Sequence, residues 1–268
     1  MSDRVETKLR SLRTQAPRRL REAILTEVGL HDAWTVVASP TGELFVSFNP
    51  EGISGIAPVA SVAEFAADHL ERTGRVLGAP RALPPRTERA LARALATGMP
   101  ARLAVDLRGC TEFQRAVLRK TSEIPPGEMR PYGWVAREIG RPGAVRAVGS
   151  ALNKNPVAVV IPCHRVGRSD GSVGEYAFGP AMKRALLRAE GADPEAVDDL
   201  ASRGVRFTGS DTTRIYCHPT CRNARRITLG HRVEFRSADA AVTAGYRGCL
   251  VCRPGVWRGE ANDAALAP

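Results

Sequence analysis

The sequence predicts an α/β plus α architecture followed by a small metal-stabilised module. Three observations support this prediction. Strand-like and helix-like patterns alternate early in the chain, short helices separated by glycine and proline follow, and four of six cysteines cluster near the end. The predicted segments are an N-terminal helical extension (1–30), an α/β domain (31–108), a helical domain (109–191), an acidic linker (192–202), a cysteine-rich module (203–258) and a disordered tail (259–268).

The α/β domain begins with a hairpin. "AWTVVAS" and "LFVSFN" are rich in strand-forming residues and flank the turn "PTGE". "GISGIAPV" predicts a further strand, and Ser61 with Glu64 forms a capping box that predicts a helix reaching Leu70. Residues 86–97 predict a second helix, and "RLAVDL" (102–107) alternates like an edge strand.

The helical domain contains a predicted helix-turn-helix. Thr111 and Gln114 cap its first helix, and "YGWVAREIG" and "AVRAVGSALNKN" predict two short helices joined by the turn "RPG". "GPAMKRALLRAEG" predicts the closing helix. The apolar run "VAVVI" (157–161) predicts a buried strand, which would place Cys163 where that strand leaves the core.

Positive charge is concentrated in two blocks. The formal charge is zero over 31–110, +6 over 111–190 and +8 over 201–258, whereas 191–200 holds four acids and no base. Two basic blocks predict surfaces that face a polyanion. The alternative is a set of solvated arginine faces, and the neutral first block argues against a uniform arginine bias.

Targeting and redox environment are inferred from the apolar runs. The stretch "MSDRVETKLRSLR" has no apolar core of a signal peptide, and no run reaches transmembrane length. We therefore expect a cytoplasmic protein with no membrane partner and with reduced thiols. Six cysteines in such an environment call for a metal or catalytic role more than for disulfides.

Cys163 has three interpretations from the residues alone: a small buried side chain, a metal ligand or a nucleophile. The motifs around it resemble the active-site domain of the O6-alkylguanine-DNA alkyltransferases. The resemblance runs through "TEFQ", "PYGWVAREIGRP", "VRAVGSALNKNP", "IPCHRV", "GEY" and "KRALLRAEG". It extends more loosely back to residue 30, and it implies an RNase H-like N-terminal domain before a winged helix-turn-helix active-site domain.

The resemblance implies that Cys163 accepts a methyl group from O6-methylguanine. His164 would activate the thiol through a water, because neighbouring residues on a strand point to opposite faces, and Glu190 would orient His164. Asn155 would tie the turn that presents the cysteine. The alternatives are a surface histidine for His164, a helix-terminal carboxylate for Glu190 and ordinary pre-proline loop chemistry for Asn155.

Four residues match the positions that handle DNA in this family. Arg146 would fill the space of a flipped base, Tyr132 would hydrogen-bond that base, Tyr176 would line the pocket, and Ala177 would offer its N–H. The implied partner is double-stranded DNA, bound through the minor groove. The alternatives are a phosphate contact or a solvated face for Arg146 and a half-buried aromatic for Tyr132.

Four of the other cysteines form a C-x3-C pair and a C-x2-C pair, 27 residues apart, and Cys110 stands alone. Paired short spacings predict one tetrahedral zinc site, and a 55-residue module with few apolar residues needs such a staple. No organic cofactor is expected. The predicted ligands are Cys217, Cys221, Cys249 and Cys252.

The zinc module resembles the methylphosphotriester-accepting domain of Ada over residues 203–256, through "DTTRIYCHPTC" and "FRSADAAVTAGYRGCLVC". The resemblance implies that Cys217 is both ligand and methyl acceptor and that Thr213 and Arg247 contact DNA. In Ada this domain comes first and an AraC-type regulatory domain follows it.

The leading hypothesis is a monomeric, stoichiometric DNA repair methyltransferase with two acceptors, Cys163 for bases and Cys217 for the backbone. One alternative is a methylation-responsive DNA-binding transcriptional regulator whose zinc domain is only structural or DNA-binding. Another is a lesion-binding protein without transfer, which would have no need of Cys163. The acidic linker is expected to separate the modules, so that zinc removal leaves Cys163 active.

Overall fold

The computed structural model describes residues 17–58, 60–100 and 103–255. The first part of the predicted extension, residues 1–16, and the predicted tail, 259–268, lie outside the described residues. Within the described ranges, no helix has the length and apolar composition needed to cross a bilayer.

The N-terminal unit is a four-stranded sheet with helices. Its strands β1 (His31–Ser39), β2 (Gly42–Asn49), β3 (Gly52–Ala57) and β4 (Val76–Pro80) lie in the order β3-β2-β1-β4, with β1 parallel to β4 and the other pairs antiparallel. The predicted hairpin is confirmed, since Ser39 pairs with Gly42 across the turn. The helices of this unit are α1 (Arg18–Glu27), α2 (Val62–Thr73) and α3 (Pro85–Thr97).

The predicted edge strand at 102–107 is wrong as far as the described residues go. A single bridge joins Val105 to Ile53, and no ladder continues from it. The side chain of Asp106 instead accepts hydrogen bonds from Asn49 and from Arg108. This segment therefore pairs with β3 only at Ile53, which donates to the Ala104 carbonyl and accepts from the Asp106 N–H, and the Asp106 side chain adds buried polar contacts.

The N-terminal unit supports the loop before the Cys163 turn. Ile56 donates its N–H to the Pro156 carbonyl at 2.8 Å, and Ala158 donates back to the Ile56 carbonyl at 3.2 Å. Arg72 on α2 donates to the Asn153 carbonyl at 2.6 Å. The sheet edge and α2 thus fix both ends of the loop that carries Asn155.

The middle unit contains the predicted helix-turn-helix helices and the closing helix. The capping box of Thr111 and Gln114 is confirmed, and Val117 and Leu118 of the helix that it opens are fully buried. The elements are α4 (Glu112–Ser122), β5 (Arg130–Pro131), α5 (Tyr132–Glu138), α6 (Val145–Asn153), a 3-10 turn (Cys163–Arg165), β6 (Val166–Gly167) and α7 (Pro180–Ala189).

The run 157–161 is buried as predicted, but it is a turn and not a strand. Its backbone bonds locally, from Val160 to Ala158 and from Ile161 to Val157, and Val159 has a φ of 70°. The Asn155 side chain closes the turn, because its Nδ2 donates to the Ile161 carbonyl and its Oδ1 accepts from the Val157 N–H. Cys163 therefore begins a 3-10 turn.

The C-terminal module has its own small sheet, in the order β10-β8-β7-β9. Its apolar core includes Tyr216, Phe235 and Tyr246, and the rings of the last two lie 4.8 Å apart. The elements are α8 (Pro194–Ser202), β7 (Phe207–Ser210), β8 (Ile215–Cys217), β9 (Arg232–Phe235), α9 (Ala238–Thr243) and β10 (Arg247–Gly248).

The acidic segment predicted as a linker is mostly the helix α8. Asp193 caps it by accepting the Ala196 N–H. Asp198 pairs with Arg184 of α7 and accepts the Val173 N–H at 2.9 Å. The acids therefore hold α8 against the basic face of α7, so this stretch does not act as a free spacer.

Candidate functional site

Cys163 lies at the start of the 3-10 turn and is 7% exposed. Its Sγ accepts a hydrogen bond from Asn155 Nδ2 at 3.1 Å and lies 4.0 Å from the Tyr176 hydroxyl. Asn155 thus both closes the preceding turn and contacts the sulfur. A side chain that donates to sulfur favours the thiolate over the thiol.

Burial raises the pKa of the Cys163 thiol, and the hydrogen bond from Asn155, the contact with Tyr176 and the charge of Lys183 act against that rise. Lys183 is a residue to which the sequence analysis assigned no role. Its ammonium is buried and donates to the carbonyls of Val166 at 2.7 Å and Glu175 at 3.1 Å. Burial lowers the pKa of Lys183 to about 8, so it remains a cation at neutral pH.

His164 is buried and paired with Glu190, with Nε2 and Oε1 2.8 Å apart. Because an ionised carboxylate can only accept, Nε2 carries the proton and Nδ1 keeps a free lone pair. Nδ1 is buried and has no hydrogen-bond partner among the described residues. Burial lowers the pKa of His164, although Glu190 opposes this, so the neutral imidazole prevails at neutral pH.

The Glu190 carboxylate receives four hydrogen bonds. Oε1 accepts from His164 and from Arg165 Nη2, and Oε2 accepts from Arg165 Nε at 2.9 Å and from the Gly127 N–H at 3.1 Å. Burial alone would raise the pKa of Glu190, but the hydrogen bonds from His164 and Arg165 outweigh it and bring the pKa to about 2. The charge of this carboxylate is therefore permanent near neutral pH.

Arg165 is a second residue that sequence reasoning missed. It is fully buried, and besides Glu190 it donates to the Ile124 and Gly98 carbonyls, each at 2.6 Å. Its only sequence signal is its place after the Cys–His pair, because its partners lie up to 67 positions away. Arg165 joins the turn, α7 and the end of α3 at one point.

The four residues predicted to handle DNA differ in their distance from this centre and in their burial. Tyr132 begins α5 half-buried, and burial and the nearby Cys163 raise its pKa. The Tyr176 ring meets His164 edge to face with 6.4 Å between centroids. Arg146 is exposed near the start of α6, and Ala177 is also exposed. The structure thus brings the two tyrosines to Cys163 and leaves Arg146 and Ala177 at the surface.

The second centre is formed by the four predicted zinc ligands, which are all buried. Their Sγ atoms all lie within 4.8 Å of one another. A tetrahedral zinc with bonds of about 2.3 Å places its sulfurs about 3.8 Å apart, so the set fits zinc after a small contraction. The cysteines come from β8, the loop after it and the segment that follows β10.

A cleft of about 500 Å³ opens over this centre. Cys217 lines it together with Thr213 and Arg247, which the resemblance predicts to contact DNA, and Arg226 lines it as well. Thr213 and both arginines are exposed, whereas Cys217 is 2% exposed. Cationic side chains thus surround a nearly buried sulfur.

Two family models match the chain. One describes the DNA-binding domain of 6-O-methylguanine DNA methyltransferase and matches residues 112–192. The other describes the metal binding domain of Ada and matches residues 196–255. The first therefore covers the Cys163 centre and the second covers all four cysteines of the zinc site.

Curated relatives agree with the first model. The methylated-DNA–protein-cysteine methyltransferase of Methanosarcina acetivorans is 50% identical over 82 residues, which are 31% of this chain and 53% of the relative. That of Mycolicibacterium paratuberculosis is 50% identical over 88 residues, 33% of this chain and 53% of the relative. The chain spans about half the length of these curated relatives.

One solved structure similar to the chain is a crystal structure of Mycobacterium tuberculosis OGT in complex with DNA. It is 33% identical, with a TM-score of 0.46, and the match covers 60% of this chain and 92% of that one. Taken with the family models, the motifs and the two cysteine centres lead to one assignment. Residues 112–192 match the DNA-binding domain of 6-O-methylguanine DNA methyltransferase and residues 196–255 match the metal binding domain of Ada, so this chain joins two domains of these kinds.

Proposed function

We propose that this protein repairs DNA directly, by moving a methyl group from O6-methylguanine to Cys163. The observation that carries the proposal is the buried set in which Asn155 donates to the Cys163 sulfur while Glu190 holds His164 with Nδ1 free. A nucleophile, a base and an orienting carboxylate in this order form the arrangement that activates a weak nucleophile.

The transfer begins with the thiol proton. A water between Cys163 and Nδ1 of His164 carries that proton to the imidazole, and Glu190 stabilises the imidazolium through Nε2. The sulfur then attacks the methyl carbon, so that the S–C bond forms as the bond from carbon to O6 breaks. The guanine takes up one proton in place of the methyl group, which balances the proton that left the thiol.

Tyr132 stands where it can supply the proton to the departing guanine. Its hydroxyl is half-buried beside Cys163, and its raised pKa keeps it protonated at neutral pH. The proton held by His164 then passes through water to the Tyr132 oxygen, which restores the phenol and the neutral imidazole. The product is a thioether on Cys163, which does not revert to a thiol, so each protein molecule acts once.

The substrate is double-stranded DNA from which the methylated base is turned out. We assign α5 and α6 to a winged helix-turn-helix and the first sheet to an RNase H-like domain. Arg146 projects from the second of these helices without an ion pair among the described residues, so it is free to enter the duplex. Single-turnover repair by a monomer in the cytoplasm needs no further partner.

The second acceptor is Cys217, whose substrate is a methylphosphotriester in the DNA backbone. Zinc bound by the four cysteines keeps their sulfurs deprotonated at neutral pH. The Cys217 sulfur attacks the methyl carbon, and the electron pair of the C–O bond leaves with the phosphate oxygen, which restores an anionic diester. Arg226 and Arg247 at the cleft are placed to hold the flanking phosphates.

Mass spectrometry tests both assignments. Zinc-loaded protein is incubated with duplex DNA that carries O6-methylguanine, methylphosphotriesters or neither, and the intact mass and the modified peptides are read. We expect one added methyl on Cys163 with the first DNA and one on Cys217 with the second. Cys163→Ala should lose only the first, and Cys110→Ala, which removes another buried cysteine, should lose neither.

Methyl groups on other residues would overturn the acceptor assignments. No uptake from either DNA, with binding intact, would instead favour a DNA-binding regulator or a lesion-binding protein without transfer. Uptake by Cys163 alone would leave the zinc domain as a structural or DNA-binding element.

A further inference from the structure

Within the described residues, the segment 127–134 contacts both cysteine centres; we call it the shared segment. On one side it touches the Cys163 centre at three places. The Gly127 N–H donates to Glu190, β5 pairs in parallel with β6, which directly follows the His164 turn, and Tyr132 lies within the segment.

On its other side the shared segment is held by residues next to the zinc ligands. The Met129 N–H donates to Thr220 Oγ1 at 2.8 Å, and this hydroxyl donates to the Met129 carbonyl at 3.2 Å. Thr220 directly precedes the ligand Cys221, and both Met129 and Thr220 are buried. A reciprocal pair of buried hydrogen bonds fixes both the position and the orientation of a backbone unit.

Two further contacts extend this junction. Glu128 is buried, pairs with Arg130 and accepts the backbone N–H of Arg222, the residue after Cys221, at 3.0 Å. The Trp134 indole donates to the carbonyl of the ligand Cys252 at 2.9 Å. The residues that hold the shared segment thus flank or include two of the four ligands.

Arg253 adds a contact at the surface. It follows Cys252, pairs with Glu138 at the end of α5 and places its guanidinium 5.8 Å from the centroid of the Trp134 ring. The two modules therefore meet across buried hydrogen bonds and an ion pair, which differs from the expectation of independent modules joined by a linker.

We propose that the zinc site positions the base-repair centre: the loops closed by the metal hold the shared segment, and the shared segment carries Tyr132 and binds Glu190. This rests on the proposed function of Cys163. The loops around Cys221 and Cys252 have little secondary structure, so metal ligation is what gives them one conformation. Thr220 and Arg222 are positioning residues, since they act on the reaction only through the shared segment.

The coupling has two measurable consequences. Loss of zinc should release the hydrogen bonds to Met129, Glu128 and Trp134, so the backbone amides of the shared segment should exchange faster with solvent. Misplacement of Tyr132 and Glu190 should slow methyl uptake by Cys163 by about tenfold or more, since small displacements in a catalytic set are costly.

The experiment compares zinc-loaded and zinc-free protein in two measurements. Hydrogen exchange is followed in peptides that cover the shared segment, and single-turnover methyl uptake by Cys163 is followed with an O6-methylguanine oligonucleotide. We expect faster exchange and slower uptake without zinc, both reversed when zinc is restored. Unchanged exchange and uptake in zinc-free protein would overturn the proposal.

A variant that keeps its zinc distinguishes loss of the positioning contact from general unfolding. Thr220→Val removes the hydroxyl with little change in shape, and we expect it to raise exchange at Met129 and slow uptake by a few-fold with the zinc content unchanged. Thr220→Ser keeps the hydroxyl, so its exchange at Met129 and its rate of methyl uptake should equal those of the wild type. Thr243→Val, at an exposed threonine on α9, is the matched control. Equal behaviour of Thr220→Val and the control would overturn the positioning role.

Failure of the proposed function has a different signature. If zinc-loaded protein takes up no methyl on Cys163, the base-repair proposal fails, but the exchange measurement still decides whether zinc orders the shared segment. Faster exchange without any change in uptake would show a structural junction only and would overturn the positioning proposal.

Discussion

His164 and Glu190 lie 26 positions apart in the sequence and 2.8 Å apart in the structure, from Nε2 to Oε1. This contact decides which nitrogen of His164 is free to act as a base. Since Glu190 is ionised and accepts at Nε2, the lone pair is on Nδ1, the nitrogen without a partner among the described residues. The first prediction tests this pairing.

Glu190→Gln should slow methyl uptake by Cys163 by about a hundredfold, because a neutral amide cannot stabilise the imidazolium that forms during proton transfer. The measurement is the single-turnover rate with an O6-methylguanine oligonucleotide. Glu195→Gln, which removes an exposed carboxylate from α8, is the control. An equal rate in wild type and Glu190→Gln would remove Glu190 from the mechanism.

Glu190 should also contribute to acid sensitivity. Its pKa falls from 4.5 to about 2 on folding. A carboxyl with a depressed folded pKa stabilises the protein above its unfolded pKa, and that stability is lost as pH falls through the folded pKa. A difference of about 2.5 units corresponds to about 3 kcal/mol, lost between about pH 4.5 and pH 2.

Urea unfolding across that range tests the acid sensitivity. The free energy of unfolding of Glu190→Gln should be lower at pH 7 and should fall less steeply below pH 4.5 than that of the wild type. Asp106, whose pKa is brought to about 2 by its hydrogen bonds with Arg108 and Asn49 against the effect of burial, adds a background slope common to both proteins. Parallel curves for the two proteins would contradict the prediction.

Arg165→Met should destabilise the protein by about 3 to 5 kcal/mol, the usual cost of removing one partner from a buried ion pair. The variant leaves Glu190 with two hydrogen bonds and frees the Ile124 and Gly98 carbonyls. Urea unfolding gives the value, and Arg168→Met, at a residue whose side chain is 61% exposed, should change it by less than about 0.5 kcal/mol. A loss as small as that of the control would mean the pair is not a stability element.

Arg146→Ala should slow repair in duplex DNA by about tenfold while leaving repair in single strands nearly unchanged, because only a duplex needs a base to be displaced and its space filled. The measurement is the ratio of single-turnover rates on the two substrates. Arg141→Ala removes an exposed arginine from the turn between α5 and α6 and serves as the control. Equal slowing on both substrates would refute the finger role.

Methylation of Cys217 should increase affinity for undamaged DNA. Four thiolates around zinc carry a net double negative charge that repels phosphate, and a thioether removes one unit of it. At about 6 Å and an effective dielectric of about 20, that unit is worth up to about 3 kcal/mol. The affinity should therefore rise between several-fold and about a hundredfold, and less at high salt.

A salt series of DNA affinities, before and after reaction with methylphosphotriester DNA, measures this change in a Cys163→Ala background. In that background Cys163 cannot be methylated, so any change in DNA affinity comes from Cys217. An unchanged affinity at low salt would exclude a charge switch and would leave Cys217 as a repair acceptor only.

Local interactions could be predicted from the sequence because they depend on a few neighbouring residues. The hairpin at Ser39–Gly42, the capping box at Thr111 and the short helices around "RPG" all form within one stretch of chain. The four zinc ligands were also identified correctly as a cluster, since C-x3-C and C-x2-C spacings have few other uses in a reduced chain.

The conformation of two segments depends on residues that are distant in sequence, so only the tertiary structure reveals it. The β-branched run at 157–161 is compatible with a strand or a buried turn, and the Asn155 side chain selects the turn. The acids near residue 195 are compatible with a solvated linker or with a packed helix. Their ion pairs with the arginines of α7 select the helix.

The same holds for the sites. The cysteine spacing predicted the four zinc ligands, and the resemblance to a known family predicted roles for Cys163 and His164, because both depend on short motifs. Arg165, Lys183 and the shared segment acquire their roles only from groups that folding brings within hydrogen-bond distance. Burial increases the free-energy cost of losing those contacts, since a charge or an amide removed from water needs a hydrogen-bond partner inside the protein.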